Sequence, residues 1–421
     1  MAYEASEIMF AACLLFTDKE LQSAAKDVNA LTSFMATAKK KASTGVKFGN
    51  DAIKKGFLDL MVPTDKGLKD LVVGMSAAIG IRKEVPAREN KGTPAIYLTG
   101  NVWSQEVEKF RISAHGFEDY NSADVLFTYN GTKYYGVSLK KKAKPNAPEP
   151  TLINKAFDTL LTDGKEFSAL KQSLVDARID YFSSLVIKAV DAKIIRKADI
   201  KDFDRLKSTK EGRKELFESK KRDRNKFDRS YIDTKGWAAA PKGYKDDTNL
   251  KNPKCMRYFV NKQLADPKNP LWSKFISIMN ANSELFGDSL INIILKTKLY
   301  EELTSKDLKK FKFGFFLVTG IGDVTKTAVS LQPAQVTSLE TTLCGLTRIE
   351  KKYKKSSYSI ELNNMKKGES DAAKVFLQLK RGDVKILDLE LRYKGAFTAQ
   401  PQFQATVNPA FKQLLKDECG Q

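Results

Sequence analysis

Hydrophobic residues recur every three or four positions along the N-terminal part of the chain, beginning with the stripes between Ile8 and Phe34. This spacing places the apolar side chains on one face of a helix, so it predicts a helical N-terminal region over residues 1–92. The basic segment 39–45 ends in Ser-Thr-Gly and is expected to interrupt these helices. Residues 86–92 have the composition of a linker.

The pattern changes to short apolar runs after this linker. Residues 125–129 and 133–139 are rich in β-branched and aromatic side chains and flank the dipeptide Asn130-Gly131. Asn-Gly favours a type I′ turn, because both central residues of that turn need positive φ angles. The two runs therefore predict a β-hairpin.

Other elements are expected on both sides of the hairpin. A short strand at 95–99 and a helix over 102–113 precede it. Thr151 is expected to cap a helix that follows it, and residues 313–319 are the best candidate for a buried strand farther along the chain.

The whole pattern predicts an α+β protein with several domains. The predicted segments are a helical N-terminal region (1–92), an α/β core (93–164, with 311–325 as its candidate last strand), a basic and mostly helical insertion (165–310) and a β-rich C-terminal domain (326–421).

The charge of the chain indicates its partners. The 421 residues include 72 Lys and Arg against 51 Asp and Glu, which gives a formal net charge of +21. Such a charge favours polyanions, with nucleic acid ahead of a membrane surface, although a general basic bias for solubility is the alternative. Residues 205–229 contain eleven Lys or Arg and five Asp or Glu, and residues 351–358 interleave lysines with tyrosines. Cations of this kind hold phosphates while rings stack on bases, so we expect a nucleic-acid partner.

The basic residues expected to contact nucleic acid lie in three clusters. They are Lys141, Lys142, Lys144, Lys220, Lys221, Arg222, Arg224, Lys351, Lys352 and Lys354.

Several other classes of protein are disfavoured. No apolar run approaches the ~20 residues that span a bilayer. Glu4 and Glu7 occupy positions where a secretory signal would carry Lys or Arg, so we expect a cytoplasmic protein without membrane association. The four cysteines are scattered without a C-x-x-C pair, and His115 is the one histidine, so zinc sites and histidine-based catalysis are not expected. All four cysteines are expected to be reduced.

Three residues that carry chemistry converge at the open end of the predicted hairpin. Asp124 begins the first strand, and Ser138 and Lys140 lie near the end of the second. Since strand side chains alternate, residues 138 and 140 point to the same side. An acidic residue, a hydroxyl and a lysine are therefore expected at one edge of the sheet.

Glu106 is the second candidate carboxylate. It lies within the apolar stripe of the predicted helix 102–113, together with Trp103 and Phe110. A carboxylate in an apolar stripe is costly unless it is paired or binds a metal. Glu106 and Asp124 together would hold Mg²⁺ or Mn²⁺ through oxygen, and the metal would activate water for attack on a phosphodiester.

This arrangement resembles the PD-(D/E)XK nuclease superfamily, whose core of helix, hairpin, helix and strand carries D…(D/E)-x-K on the hairpin. The resemblance covers residues 95–163 and implies a restriction-endonuclease-like α/β core that would close with 313–319. It also implies that Asp124 binds metal, that Lys140 is the motif lysine and that Glu106 is the helix glutamate of some members. The main-chain carbonyl of Leu139 would be a further metal ligand.

Ser138 departs from the family pattern, which has Glu or Asp at this position. Two outcomes follow: an active variant in which Glu106 replaces the missing charge, or a domain that binds nucleic acid without cleaving it. The first hypothesis is a Mg²⁺-dependent endonuclease that acts on DNA rather than RNA. The second is a non-catalytic nucleic-acid-binding protein, and the third is an interaction protein for an acidic partner.

Overall fold

The structure is a computed structural model that describes residues 4–99, 102–111, 123–156, 165–217, 256–295, 312–364, 373–393 and 400–420. The chain divides into two compact units. The first comprises Met1–Pro150, Ile291–Arg348 and Leu414–Gln421, and the second comprises Thr151–Leu290 and Ile349–Gln413. Each unit contains helices and one β-sheet, so the predicted α+β class is confirmed.

The helices are distributed over both units. They are α1 (Ala5–Cys13), α2 (Asp18–Ala24), α3 (Val28–Gly45), α4 (Asp51–Asp59), α5 (Asp65–Glu84), α6 (Lys165–Asp191), α7 (Phe203–Ser208), α8 (Lys210–Phe217), α9 (Met256–Leu264), α10 (Pro270–Ala281), α11 (Ser283–Ile294), α12 (Leu339–Lys352) and α13 (Pro409–Cys419). Short 3₁₀ turns occur at Glu108–Phe110 and Lys197–Asp199.

The strands form two sheets. They are β1 (Val46–Lys47), β2 (Ala95–Leu98), β3 (Val125–Thr128), β4 (Lys133–Lys142), β5 (Ile153–Ala156), β6 (Lys312–Val324), β7 (Val329–Ser338), β8 (Tyr358–Leu362), β9 (Lys374–Arg381), β10 (Val384–Arg392) and β11 (Gln402–Val407). The first unit has a mixed sheet in the order β1-β2-β3-β4-β6-β7, and the second has the order β5-β11-β10-β9-β8.

The mixed sheet contains the predicted hairpin and its closing strand. β2, β3 and β4 run antiparallel to one another, and β6 then pairs with β4 in parallel, with Ser138 opposite Leu317 and Lys140 opposite Thr319. The strand expected at 313–319 is therefore β6, which extends the hairpin sheet. Parallel neighbours need a long crossover connection, and here the connection includes much of the second unit.

The N-terminal helices pack on one face of this sheet. Residues Ile8 to Cys13 of α1 are fully buried, and they share a core with Phe127 and Val137 of the hairpin. α5 lies against the end of β6, where Ser76 Oγ accepts from the Ile321 amide at 2.9 Å and donates to the Gln332 carbonyl at 2.7 Å. These bonds compensate for an irregularity in the β6–β7 pairing next to residue 321, and they fix α5 to the sheet.

Caps determine where four of the first five helices begin. Thr17, Asp27, Asn50 and Thr64 each accept a hydrogen bond from the backbone amide three residues later. Such caps satisfy amides that the first helical turn leaves without partners. α1 lacks a side-chain cap, and its first turn instead carries Glu7.

Gly74 of α5 determines how closely α1 approaches. A Cβ at this position would lie 2.7 Å from the Phe10 nitrogen and 2.8 Å from the Met9 carbonyl carbon. We expect Gly74→Ala to lower the free energy of unfolding by about 1–3 kcal/mol, because the backbone of α1 must move. This loss would exceed the gain of about 1 kcal/mol in helix propensity. Urea denaturation measures the difference, and a variant as stable as the wild type would show that the two helices have room to separate.

Several local predictions are wrong. α3 continues through the expected break at 39–45, where Ser43 and Thr44 donate hydrogen bonds to the carbonyls of Lys40 and Lys41. Thr151 precedes β5 rather than a helix, because residues 153–156 pair with β11.

The hairpin turn also differs from the predicted type. Gly131 has a φ of +69°, but Asn130 does not have a positive φ. Asn130 Oδ1 instead accepts from the amides of Thr132 and Lys133, and Thr128 Oγ1 accepts from the Gly131 amide. Side-chain bonds thus stabilise a four-residue connection, which leaves the pairing of the strands unchanged.

The cysteines differ from the expectation as well. Cys344 and Cys419, which are 75 positions apart in sequence, form a disulfide with Cα atoms 6.0 Å apart. The bridge links the middle of α12 to the last residue of α13, two helices that are distant in sequence, so the spacing of the cysteines gave no local signal. Cys13 is free and buried, and burial raises the pKa of its thiol to about 12.

None of the helices in the described ranges combines the length and apolar character needed to cross a bilayer.

Candidate active site

Asp124 lies at the open end of the hairpin, as the sequence predicts. The register pairs Val125 with Val137, which places Asp124 next to Ser138 across the two strands. Asp124 Oδ2 accepts a hydrogen bond of 2.6 Å from the Leu139 amide, and the Asp124 amide donates to the Val137 carbonyl at 2.7 Å. The side chain is half-buried and held by backbone on the neighbouring strand.

Ser138 and Lys140 lie on the same side of β4. Lys140 Nζ is 3.3 Å from Ser138 Oγ. Ser138 is buried, whereas Lys140 is half-buried, so the ammonium group lies at the boundary of the core. The predicted convergence of an acid, a hydroxyl and a lysine is therefore present at this sheet edge.

The N-terminus of α1 brings a second carboxylate to this edge, and the sequence reasoning missed it. Glu7 is half-buried in the first turn of α1. Burial of its carboxyl raises the pKa of Glu7 to about 8, and the charge of Asp124 acts in the same direction. The charges of Lys140 and Lys141 oppose this shift. Glu7 is thus electrostatically coupled to both Asp124 and Lys140.

A signal for Glu7 was present in the sequence. It directly precedes Ile8 and Met9, which begin the apolar run of α1. A carboxylate beside apolar residues needs a partner, and this holds for Glu7 as it does for Glu106.

Lys141 connects the start of α1 to α5. Its Nζ lies 3.0 Å from Asp70 Oδ1 and 3.5 Å from Glu4 Oε2. Asp70 is buried, and its Oδ2 has no hydrogen-bond partner. These ion pairs hold the helix end that carries Glu7 against the sheet edge.

Glu106 does not belong to this cluster, which corrects the prediction from sequence. The expected helix 102–113 is absent over its described part, where a turn leads into the short 3₁₀ segment Glu108–Phe110. Both Glu106 oxygens accept from Lys47 Nζ, at 2.7 and 2.6 Å, and one also accepts from Tyr97 Oη at 2.7 Å. The Glu106 side chain is 53% exposed, and none of its hydrogen bonds or ion pairs to described residues involves Asp124 or Lys140.

The ion pair with Lys47 also sets the protonation of Glu106. The hydrogen bonds from Lys47, and then from Tyr97, lower the pKa of this carboxyl group. Its charge is therefore neutralised within the protein, and a metal is not needed to explain a carboxylate at this position.

No family model, no curated protein and no solved structure matches this chain. Its function must therefore be inferred from its own residues.

The donor set at the sheet edge fits a hard divalent cation. Mg²⁺ commonly binds through one or two carboxylates and keeps several waters. Glu7 and Asp124 supply two carboxylates. The repulsion between their charges contributes to the raised pKa of Glu7, and a bound cation would relieve that repulsion. Over the described ranges, no group of three or more His, Cys, Asp or Glu side chains is placed to hold a metal. Two neutral oxygens on β4, those of the Ser138 hydroxyl and the Leu139 main-chain carbonyl, lie next to Lys140 in the sequence.

The predicted nucleic-acid contacts have mixed outcomes. The Lys142 side chain is only 2% exposed and pairs with Glu149 at 2.7 Å, so it is not available to phosphate. Lys141 is half-exposed but paired with Asp70. Lys144, Lys351, Lys352 and Lys354 are exposed. Lys220, Lys221, Arg222 and Arg224 lie outside the described residues.

The position of Glu106 gives a prediction for its replacement. We expect Glu106→Gln to leave any metal-dependent cleavage within about twofold of wild type and to cost less than about 1 kcal/mol of stability, because the lost pair is exposed. Cleavage rates and urea denaturation check both expectations. If Glu106→Gln loses as much cleavage activity as an Asp124 variant does, Glu106 must be assigned to the active site.

Proposed function

We propose that the chain is a metal-dependent endonuclease that hydrolyses phosphodiester bonds, with DNA as the expected substrate. The observation that carries the proposal is that Asp124 and Lys140 lie on neighbouring hairpin strands at one sheet edge, where the charges of both act on the carboxyl of Glu7. Two carboxylates beside a lysine are suited to phosphodiester chemistry in a chain whose net charge of +21 attracts nucleic acid.

Each side chain has a role in this proposal. Glu7 and Asp124 would hold Mg²⁺ or Mn²⁺, with the Asp124 carboxylate oriented by the Leu139 amide. The cation would supply charge neutralisation at the phosphate and a more acidic water. Lys140 would orient the attacking water or stabilise charge on the phosphate, and Ser138 would position the Lys140 ammonium group.

The topology around these residues also supports the proposal. A helix, a hairpin and a later strand parallel to the second hairpin strand occur in the order of the PD-(D/E)XK core, although β5 stands where the helix directly after the hairpin was expected. In this comparison Glu7 of α1, rather than Glu106, would be the helix glutamate. A restriction-endonuclease-like core therefore remains part of the proposal.

A second candidate is a nucleic-acid-binding protein without catalysis. It is favoured by Ser138, which lacks the charge that the family pattern has at this position. One experiment separates the two candidates: plasmid DNA and a structured RNA are incubated with the protein in Mg²⁺, Mn²⁺ or EDTA. Cleavage that needs metal supports the nuclease and identifies its substrate, whereas binding without cleavage in any metal supports the second candidate.

A further inference from the structure

Four lysines lie close together at the end of α12 and in the turn that follows it. Lys351 and Lys352 are in the last turn of the helix, and Lys354 and Lys355 come directly after it. All four are exposed, and none of them forms an ion pair with a residue in the described ranges. Together they form the lysine turn, residues 351–355.

The lysine turn is held in place by its backbone and by one aromatic ring. The Tyr353 amide donates to the Ile349 carbonyl at 2.9 Å, and the Ser356 amide donates to the Tyr353 carbonyl at 2.8 Å. The Tyr353 ring lies against Gly382 in the turn between β9 and β10, where a Cβ would collide with the ring. The four ammonium groups therefore extend from an ordered support, which lowers the entropy lost when a partner binds.

Few carboxylates oppose the charge of the lysine turn. Glu350 directly precedes it, and Asp383 follows Gly382 in the turn against which Tyr353 packs. Both are exposed, but four lysines outnumber these two carboxylates. The two lysines of the segment 141–142, by contrast, are each paired with a carboxylate. The lysine turn therefore keeps a positive charge that is open to a polyanion.

Both tyrosines of this segment pack against the protein, which differs from the expectation that their rings stack on bases. Tyr353 packs on Gly382, and Lys352 Nζ lies 5.3 Å from the centroid of its ring. Tyr358 is only 8% exposed, and the Arg381 guanidinium carbon lies 4.7 Å from its ring centroid. Exposed cations without a free ring contact phosphates rather than bases, and such contacts carry no sequence information.

We propose that the lysine turn binds the phosphates of duplex DNA without reading its sequence. A duplex carries about one charge per 1.7 Å of its axis, which suits closely spaced cations, whereas tight binding of single strands relies on stacking rings. The lysine turn belongs to the second unit, and Asp124 and Lys140 belong to the first. The inference rests on the proposed function only in taking nucleic acid as the partner, and it does not require cleavage.

The test measures the affinity of the full chain for two duplexes of unrelated sequence, about 20 base pairs long, and for one of their single strands, in EDTA and at several salt concentrations. The test variant combines Lys351→Gln, Lys352→Gln, Lys354→Gln and Lys355→Gln. The matched control combines Lys19→Gln, Lys26→Gln, Lys55→Gln and Lys66→Gln, which removes the same charge from exposed lysines of the first unit. Urea denaturation checks that both variants fold as the wild type does.

The test variant is expected to lose about tenfold or more of its duplex affinity at about 0.1 M salt, by the same factor for both duplexes. Each lost phosphate contact lowers the slope of log affinity against log salt by about 0.9, so the slope should fall by about 2 to 4. The loss for the single strand should be smaller. The control variant should keep the wild-type slope to within about 0.5, because scattered exposed charges are screened by salt.

The proposal is overturned if the two variants bind duplex alike, since net charge alone would then matter, or if the wild type binds no duplex. It is also overturned if the test variant loses affinity for one duplex only, or loses as much for the single strand. Polyglutamate of equal charge that displaces the duplex as well as unlabelled DNA does would show that the partner is an acidic chain, which contradicts the proposal.

Failure here is distinct from failure of the nuclease proposal. Metal-dependent cleavage together with two variants that bind duplex alike rejects only the phosphate contact at the lysine turn. A loss of duplex affinity confined to the test variant, without cleavage by the wild type in any metal, rejects only the nuclease.

Discussion

Replacement of Asp124 by asparagine is expected to lower metal-dependent cleavage by on the order of 10³-fold or more, with nucleic-acid binding in EDTA largely unchanged. Asparagine keeps the shape of the side chain and can still accept the hydrogen bond from the Leu139 amide. It removes the charge that would hold the cation, whose contribution to the transition state is several kcal/mol. Single-turnover cleavage of a labelled duplex in Mg²⁺ measures the effect.

The matched control for this substitution is Glu106→Gln. It also removes one carboxylate charge, but from a side chain that pairs with Lys47 away from the cluster. Lys140→Ala is expected to act in the same direction as Asp124→Asn, because the two side chains meet at the same edge. If Asp124→Asn cleaves at the wild-type rate, the site assignment is wrong, whatever the activity of the chain.

The sequence was sufficient to predict the part of the site that depends on local geometry. Asp124, Ser138 and Lys140 belong to one hairpin, and their meeting requires only the alternation of side chains and the position of the turn. The error in turn type had no effect on this result, because the side chains of Thr128 and Asn130 produced a different turn with a compatible register.

The position of Glu7 could not be obtained from such a local argument. Glu7 reaches the sheet edge because α1 packs beside α5 against the core on one face of the sheet, and this packing depends on close approach at Gly74. Contacts between residues about a hundred positions apart have no periodic signature in the sequence. The same limit applies to the disulfide between Cys344 and Cys419.

Glu106 shows the opposite error, in which a local pattern suggested a role that tertiary contacts remove. Its apolar neighbours Trp103, Val107 and Phe110 are buried as expected, but the segment does not form the helix on which the argument depended. Lys47 comes from β1, which pairs with β2 and thereby brings a cation to Glu106. The partner of Glu106 is therefore a lysine on β1, a strand distant in sequence, where the sequence had suggested a metal ion.

Glu7→Gln is expected to change the dependence of stability on pH. The pKa of Glu7 is raised to about 8 in the folded protein, above the ordinary carboxyl range, so the folded state favours the protonated form. As the pH rises from about 5 to about 8, the wild type loses free energy of unfolding relative to a variant that cannot ionise. Since each pKa unit corresponds to about 1.4 kcal/mol, the relative gain of Glu7→Gln at the higher pH is a few kcal/mol. Urea denaturation of both proteins at the two pH values, in EDTA, gives the difference.

Two further measurements make this prediction specific. Glu106→Gln should show almost no change between these two pH values, because its pair with Lys47 lowers the pKa of Glu106, and the stability from that pair is lost only as the pH falls below the ordinary carboxyl range. At about pH 8, Mg²⁺ should stabilise the wild type more than it stabilises Glu7→Gln. A cation that binds only the folded protein raises the stability of that protein, and the cation would bind best to the ionised carboxylate that the variant lacks. An equal stability difference between wild type and Glu7→Gln at both pH values would mean that the Glu7 carboxyl is solvated and ionised throughout. It would then no longer qualify as the second carboxylate of the site.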